Sequence, residues 1–210
     1  MEAFGERFGL STTRIHLTAA DSNANNPTTI PFDLMYLTSL SHLNVYGLSL
    51  SGTIPTEIGF LTDLTFLNLA NNDLTSAIPS EFGLLTQLRQ LQLGTNRLES
   101  SLPSDMWGNL TQLTELGLSQ NALELEIPSE LGLLTRLTSL SLAENLFSGG
   151  IPSELGSLQQ LELLELYYND LSGTVPDPVC FLTTNYDLSF LYIDRNKVSC
   201  PLSTCACYEL

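Results

Sequence analysis

One triplet, L-x-L, returns through almost the whole chain at a nearly fixed interval. Its first leucines are Leu43, Leu67, Leu91, Leu116, Leu140, Leu164 and Leu191, giving steps of 24, 24, 25, 24, 24 and 27 residues. A degenerate unit, Ile15-His16-Leu17, precedes Leu43 by 28 residues. A period of roughly 20–50 residues marks a stacked array of small units. No unit of this size buries its own leucines. Each is stabilised by its neighbours, so the chain folds as a sum of neighbour contacts rather than around one central core.

Within a unit each position has a physical task. A clean example runs from Leu61 to Gly83. The L-x-L alternation has period 2 and reads as a short strand with leucines inward and x positions outward. Asparagines Asn72, Asn96, Asn121, Asn145, Asn169 and Asn196 fall where the chain leaves each strand. Stacking places them in a ladder that hydrogen-bonds the neighbouring turn, each bond contributing about 1 kcal/mol. Gly52, Gly149 and Gly173 mark a tight backbone approach. Ile-Pro then opens the outer side, where the following Ser/Thr-Glu is expected to cap a short helical turn, hydroxyl to amide.

The consensus L-x-x-L-x-x-L-x-L-x-x-N-x-L-x-G-x-I-P-x-x-L-G-x over roughly Ile30 to Pro176 resembles the plant-type leucine-rich repeat. It is similar to plant receptor-kinase ectodomains and polygalacturonase-inhibiting proteins. The resemblance implies an α/β repeat, a right-handed solenoid with a concave parallel β-sheet. It also implies a second short strand row at L-x-G-x-I-P and short 3-10 turns on the convex side. Departures are local: Leu48 holds an asparagine position, Ser76, Ser100 and Leu125 replace the glycine, and Met106-Trp107 carries a one-residue insertion.

Composition narrows the function. Leucine supplies 45 of 210 residues, and 7 basic against 23 acidic residues leave a net charge of −16. Six arginines and Lys197, the sole lysine, make no basic footprint, which argues against a nucleic-acid partner. With 43% hydrophobic residues the chain has the means to bury a core. No apolar run reaches the ~18 residues of a membrane span, and Met1–Leu10 has no apolar signal region. Part of the acidity belongs to the repeat: Asp33, Glu57, Glu81, Asp105, Glu130 and Glu154 share one position after each proline, suited to helix starts on the outer face.

The organisation expected is a degenerate coil and protruding loop over 1–30, repeats over 31–176, and a last coil with a cysteine-rich cap over 177–210. Phe4, Phe8 and Leu10 are candidates to cover the first coil, and 18–29 is the polar loop. Cys180, Cys200, Cys205 and Cys207 all lie in the last 31 residues. An even number at one end reads as disulfides formed in the secretory pathway. A zinc site is the rival, yet no histidine is near and no C-x-x-C occurs. Pairing Cys205 with Cys207 closes a strained three-residue loop. Cys180 is therefore expected to join Cys205 or Cys207, with Cys200 taking the other. The cap resembles the cysteine tail of diatom and algal leucine-rich repeat proteins.

The outward x positions are free of packing duty and hold the candidate ligand residues. Near the carboxyl end these are Leu163, Glu165, Tyr167, Tyr168, Phe190, Tyr192 and Asp194, with Arg195 beside them. Near the amino end they are His42, Tyr46 and Phe66, and Glu115 and Glu144 lie between. Exposed aromatics ringed by charge resemble interface hot spots. His16 and His42 read as ordinary surface histidines rather than a metal pair. No nucleophile elbow, phosphate loop or zinc-protease helix occurs, and carboxylates outside a cleft have nothing to exclude water. No catalytic residue, cofactor or metal is expected. Asn109-Leu110-Thr111 is a glycosylation sequon.

The resemblance implies a non-catalytic extracellular recognition module taking a protein, peptide or glycan ligand. A co-receptor would be a second partner, and a membrane would be reached only through a segment absent from this chain. Two further readings are an inhibitor of a secreted hydrolase and an ice-binding or surface-structural protein. The outer row Thr62, Thr86, Thr111, Thr135 begins an ice-like array that Gln159 breaks.

Overall fold

The computed structural model describes residues 12–17, 29–194, 197–201 and 205–209. Phe4, Phe8, Leu10, most of the 18–29 loop, Arg195 and Asn196 lie outside them. In chain order the elements are β1 (Arg14–His16), β2 (His42–Asn44), β3 (Ser51–Thr53), β4 (Phe66–Asn68), β5 (Asp73–Ser76), β6 (Gln90–Gln92), β7 (Arg97–Ser100), β8 (Glu115–Gly117) and β9 (Ala122–Glu126). They continue with β10 (Ser139–Ser141), β11 (Leu146–Gly149), β12 (Leu163–Glu165), β13 (Asp170–Leu171), β14 (Gly173–Thr174), α1 (Asp177–Asn185), β15 (Phe190–Ile193), β16 (Val198–Ser199) and β17 (Tyr208–Glu209).

The L-x-L triplets form one parallel sheet in the order β1-β2-β4-β6-β8-β10-β12-β15-β17. Its register is set by the repeat: Leu43 pairs Leu67, Leu67 pairs Leu91, and Leu140 pairs Leu164. The inward leucines are buried in one continuous core from Ile15 to Val198. A second parallel sheet runs alongside, in the order β13-β11-β9-β7-β5-β3. Five-residue 3-10 helices such as Thr56–Phe60 and Ser129–Leu133 form the convex side. Leucine therefore determines the architecture, a leucine-lined solenoid of stacked coils. No helix among the described residues is long and apolar enough to cross a membrane.

The asparagine ladder is built as expected. Asn145 donates from Nδ2 to the carbonyls of Leu118 in the preceding coil (3.0 Å) and Leu142 in its own (3.1 Å). Its Oδ1 accepts the Leu123 amide (3.1 Å). Asn72, Asn96, Asn121 and Asn169 repeat the pattern.

Three local expectations change. The serine or threonine after each proline caps nothing. Proline itself is the cap residue in Thr56–Phe60, Ser129–Leu133 and Ser153–Ser157, where no side-chain cap bond forms. Ser129 and Ser153 hydroxyls turn instead to the next glutamate, Glu130 and Glu154. Asp33, Glu57, Glu81, Glu130 and Glu154 still stand in the first turn, where the positive helix end favours them, whereas Asp105 precedes the helix Trp107–Asn109. Second, the glycine position is needed for its conformation: Gly52, Gly149 and Gly173 have φ of 80°, 76° and 91°. A Cβ on Gly173 would meet open space, whereas one on Gly52 would come within 3.3 Å of Thr29 and one on Gly149 within 3.1 Å of Glu126, so close approach holds at those two and not at Gly173. Ser76, Ser100 and Leu125 take the same left-handed φ (68°, 73°, 67°) at about 1 kcal/mol each, and the second sheet stays continuous. Third, the stretch after Pro176 is the helix α1, which the repeat pattern did not announce.

Trp107 takes up the inserted residue and is fully buried, its indole N–H meeting no acceptor among the described residues. Disulfides Cys180–Cys205 and Cys200–Cys207 close the carboxyl end. The tail docks on α1 through the Ala206 amide, which donates to the Thr183 hydroxyl (3.1 Å). It then adds β17 to the edge of the concave sheet.

Candidate functional site

Parallel pairing brings the outward residues of successive coils side by side. At the carboxyl end Leu163 stands opposite Phe190 and Glu165 opposite Tyr192. Phe190 and Tyr192 stack with centroids 6.2 Å apart and planes at 4°. Tyr167 meets Tyr192 edge-on at 6.3 Å and Tyr168 at 5.3 Å. Such ring pairs contribute about 0.5–1.5 kcal/mol beyond area burial. The sequence did not single out Tyr208. It pairs with Tyr192 across β15 and β17 and packs 5.3 Å from Tyr192 and 6.0 Å from Phe190. The disulfide cap thus extends this face instead of covering it: Tyr168, Phe190 and Tyr208 remain 62%, 46% and 49% exposed.

Asp194 is the correction within this patch. In the preceding coils two turn amides donate to two carbonyls of the next coil, as Glu144 and Asn145 donate to Tyr167 and Tyr168. In the last full repeat the Asp194 carboxylate takes both places. Oδ1 accepts the Tyr168 amide (2.8 Å) and Oδ2 the Asn169 amide (3.0 Å). Asp194 closes the ladder and orients the turn bearing Tyr168; it is not a free ligand group. Lys197 completes this end, its Nζ 2.6 Å from the Asn169 carbonyl and 2.7 Å from Asp170. That bond to Asp170 raises the Lys197 pKa above its usual value.

The remaining carboxylates ring the aromatics. Glu115, Glu162, Leu163, Asp187 and Phe190 line a shallow concavity of about 610 Å³. Glu115 also accepts from Gln90 Nε2 (2.7 Å), and Glu144 from Gln120 Nε2 (3.1 Å). Burial first, then the negative charges of Glu165 and Glu144, hold the Tyr167 hydroxyl above its usual pKa. Tyr167 therefore stays a neutral hydrogen-bonding phenol through the physiological range.

The amino-end patch divides. His42 stacks on Phe66 at 6.0 Å, and both line a concavity of about 490 Å³ with Arg89 and Gln90. Burial and then the Arg14 charge lower the His42 pKa. Tyr46 lies in a different hollow, with His16, Asn44 and Gly47. His42 stands opposite Arg14, and His16 opposite Asn44, so the two histidines are not cross-strand partners. Asn109 is exposed at the end of the convex helix Trp107–Asn109. A concavity of about 730 Å³ lies elsewhere, on the second sheet around Leu125, Glu126 and Ile151. It gathers no aromatic side chain.

A family model described as a leucine-rich repeat region matches residues 25–148. No curated protein sequence matches the chain. Among solved structures, the ectodomain of the Arabidopsis receptor kinase HAESA, in complex with an N-terminally extended IDA peptide hormone ligand, is similar at 35% identity and a TM-score of 0.73. The match covers 86% of this chain and 29% of that one. The plant peptide hormone receptor RGFR1 in complex with RGF2 is similar at 26% identity and a TM-score of 0.64, over 87% of this chain and 37% of that one. A plant ice-binding protein is similar at 27% identity and a TM-score of 0.66, over 82% and 61%. The chain thus spans about a third of the length of the receptor ectodomains it resembles.

Proposed function

The chain belongs to the leucine-rich repeat family, and on that premise we propose that it is a non-catalytic extracellular recognition module that holds a peptide on its concave face. The observation carrying this reading is the surface ring cluster of half-buried Tyr167 and Tyr192 with exposed Tyr168, Phe190 and Tyr208 on the concave sheet. Large, stiff aromatic side chains lose little conformational entropy on binding, which is why they dominate hot spots. Peptide complexes among the similar receptor structures support the same class of ligand. The two disulfides support passage through an oxidising compartment.

The test is selection from a random displayed peptide library on the intact chain. Selected peptides should bind the wild type and lose at least about tenfold in affinity on the Tyr167→Ala/Tyr192→Ala double variant. The double variant gives up the ring contacts of both tyrosines, so its thermal midpoint should fall by several degrees, yet it should stay fully folded at the binding temperature. Unfolding of the variant at that temperature, with binding kept wherever it is folded, would assign the rings to packing instead.

The convex face takes a different role. Tyr36, Phe60, Leu84 and Leu133 form an exposed apolar row, and Asn109 takes the place between Leu84 and Leu133. In this reading a glycan on Asn109 shields that row and leaves the concave face open. Passage of the chain through a secreting host should add mass that peptide N-glycosidase removes, and Asn109→Gln should abolish it; an unmodified wild-type mass refutes the assignment. The ice-binding reading is not favoured: the threonine row ends at Gln159 beside these bulky apolar residues.

A further inference from the structure

We infer that the ligand segment lying on the aromatic end is cationic, a peptide stretch carrying several arginines or lysines; this rests on the reading above and names the ligand's chemistry. The rings mark the place and the charges around them select the occupant. Glu165 stands across from Tyr192, Glu144 lies in the turn before Tyr167, and Glu162 and Asp187 rim the hollow beside Phe190. None of these four belongs to the outer acidic row. Glu162 and Asp187 are exposed, and Glu144 and Glu165 are half-buried.

The positive charges of this face sit at its other end. Arg14 stands by His42, and Arg89 lines the hollow of His42 and Phe66. At the aromatic end the described cation is Lys197, which Asp170 and the Asn169 carbonyl hold. Arg195, next to Asp194 in the sequence, lies outside the described residues. The face is therefore polar along its length, basic toward β1 and acidic toward β17. Arginine and lysine suit the acidic end twice over: they pair with carboxylates, and they lie over tyrosine rings through cation–π attraction. An anionic peptide meets repulsion at the same rings, so charge also sets the direction in which a mixed peptide lies.

Fluorescence anisotropy with labelled octa-arginine, octa-glutamate and a neutral glycine-serine octamer tests this on the intact, oxidised chain. Octa-arginine should bind at about 50 mM salt and weaken at higher salt as screening grows, while the other two should not bind. Net charge alone draws polycations, so two triple variants with equal charge change are compared. Glu162→Gln/Glu165→Gln/Asp187→Asn should weaken octa-arginine by about tenfold or more. Glu57→Gln/Glu81→Gln/Glu154→Gln, on the outer row, should stay within about twofold. Equal losses in both triples, or no binding of octa-arginine, overturn the inference. The library selection separates it from the broader reading. Selected peptides that are neutral or acidic, yet lost in the tyrosine double variant, would leave the peptide-binding face standing and remove its cationic preference.

Discussion

Replacing Asn145 with alanine is expected to cost about 3–5 kcal/mol, a large share of the stability of a domain this size. Asn145 is only 5% exposed. Its amide group serves the Leu118 and Leu142 carbonyls and the Leu123 amide, all in the interior of neighbouring turns. Alanine leaves those backbone groups without partners in a place water does not reach. Each such group costs about 1–3 kcal/mol, more than the bond itself contributed. The loss is non-local because one side chain ties two coils. Urea unfolding checks it through a fall in midpoint. Asn145→Asp keeps the acceptor for the Leu123 amide but turns a carboxylate oxygen on the Leu118 and Leu142 carbonyls, so at neutral pH it should cost at least as much as alanine. A change below about 1 kcal/mol for alanine would show that the ladder is ornamental.

The second large effect belongs to the cap. Removing Cys180–Cys205 with paired alanines should cost about 3.5 kcal/mol, the loop-closure value for a separation of 25 residues. Removing Cys200–Cys207, separation 7, should cost nearer 2.3 kcal/mol. In a stacked array such losses fray the end coil first. The loosened coil carries β15 and β17, hence Phe190, Tyr192 and Tyr208. Both variants should therefore weaken peptide binding while the coils between β4 and β10 keep their hydrogen-exchange protection. Stability and binding are linked here because the cap is part of the face. Equal loss of protection along the whole solenoid would contradict that picture.

What was legible in the sequence was whatever the period repeats. Leucine at each inward position, asparagine at each turn and proline before each outer helix follow from stacking, so strand register and outward positions could be read directly. Reading stopped where the period stopped. Asp194 sits at an outward position by alternation, but its backbone carbonyl accepts from the Lys197 and Val198 amides, and its carboxylate takes the Tyr168 and Asn169 amides instead. Tyr208 follows Cys207 in a stretch without a repeat. Only disulfide pairing and docking on α1 bring that strand to the sheet edge. Tyr46 and Phe66 share an outward pattern but stand at opposite ends of their strands, so the amino patch divides into two hollows. Leu125 hid a left-handed φ that its side chain gives no hint of.

The most direct measurement of the account is the affinity of one library-selected peptide for two pairs of surface variants. Tyr192→Ala and Tyr208→Ala alter the aromatic end of the concave sheet; Leu125→Ser and Leu146→Ser alter exposed positions of the second sheet, Leu125 lining its hollow. The account predicts at least about a tenfold loss for each tyrosine variant and less than about a twofold change for each leucine variant. Unchanged binding to both tyrosine variants with loss in the leucine pair would place the ligand on the second sheet and contradict it.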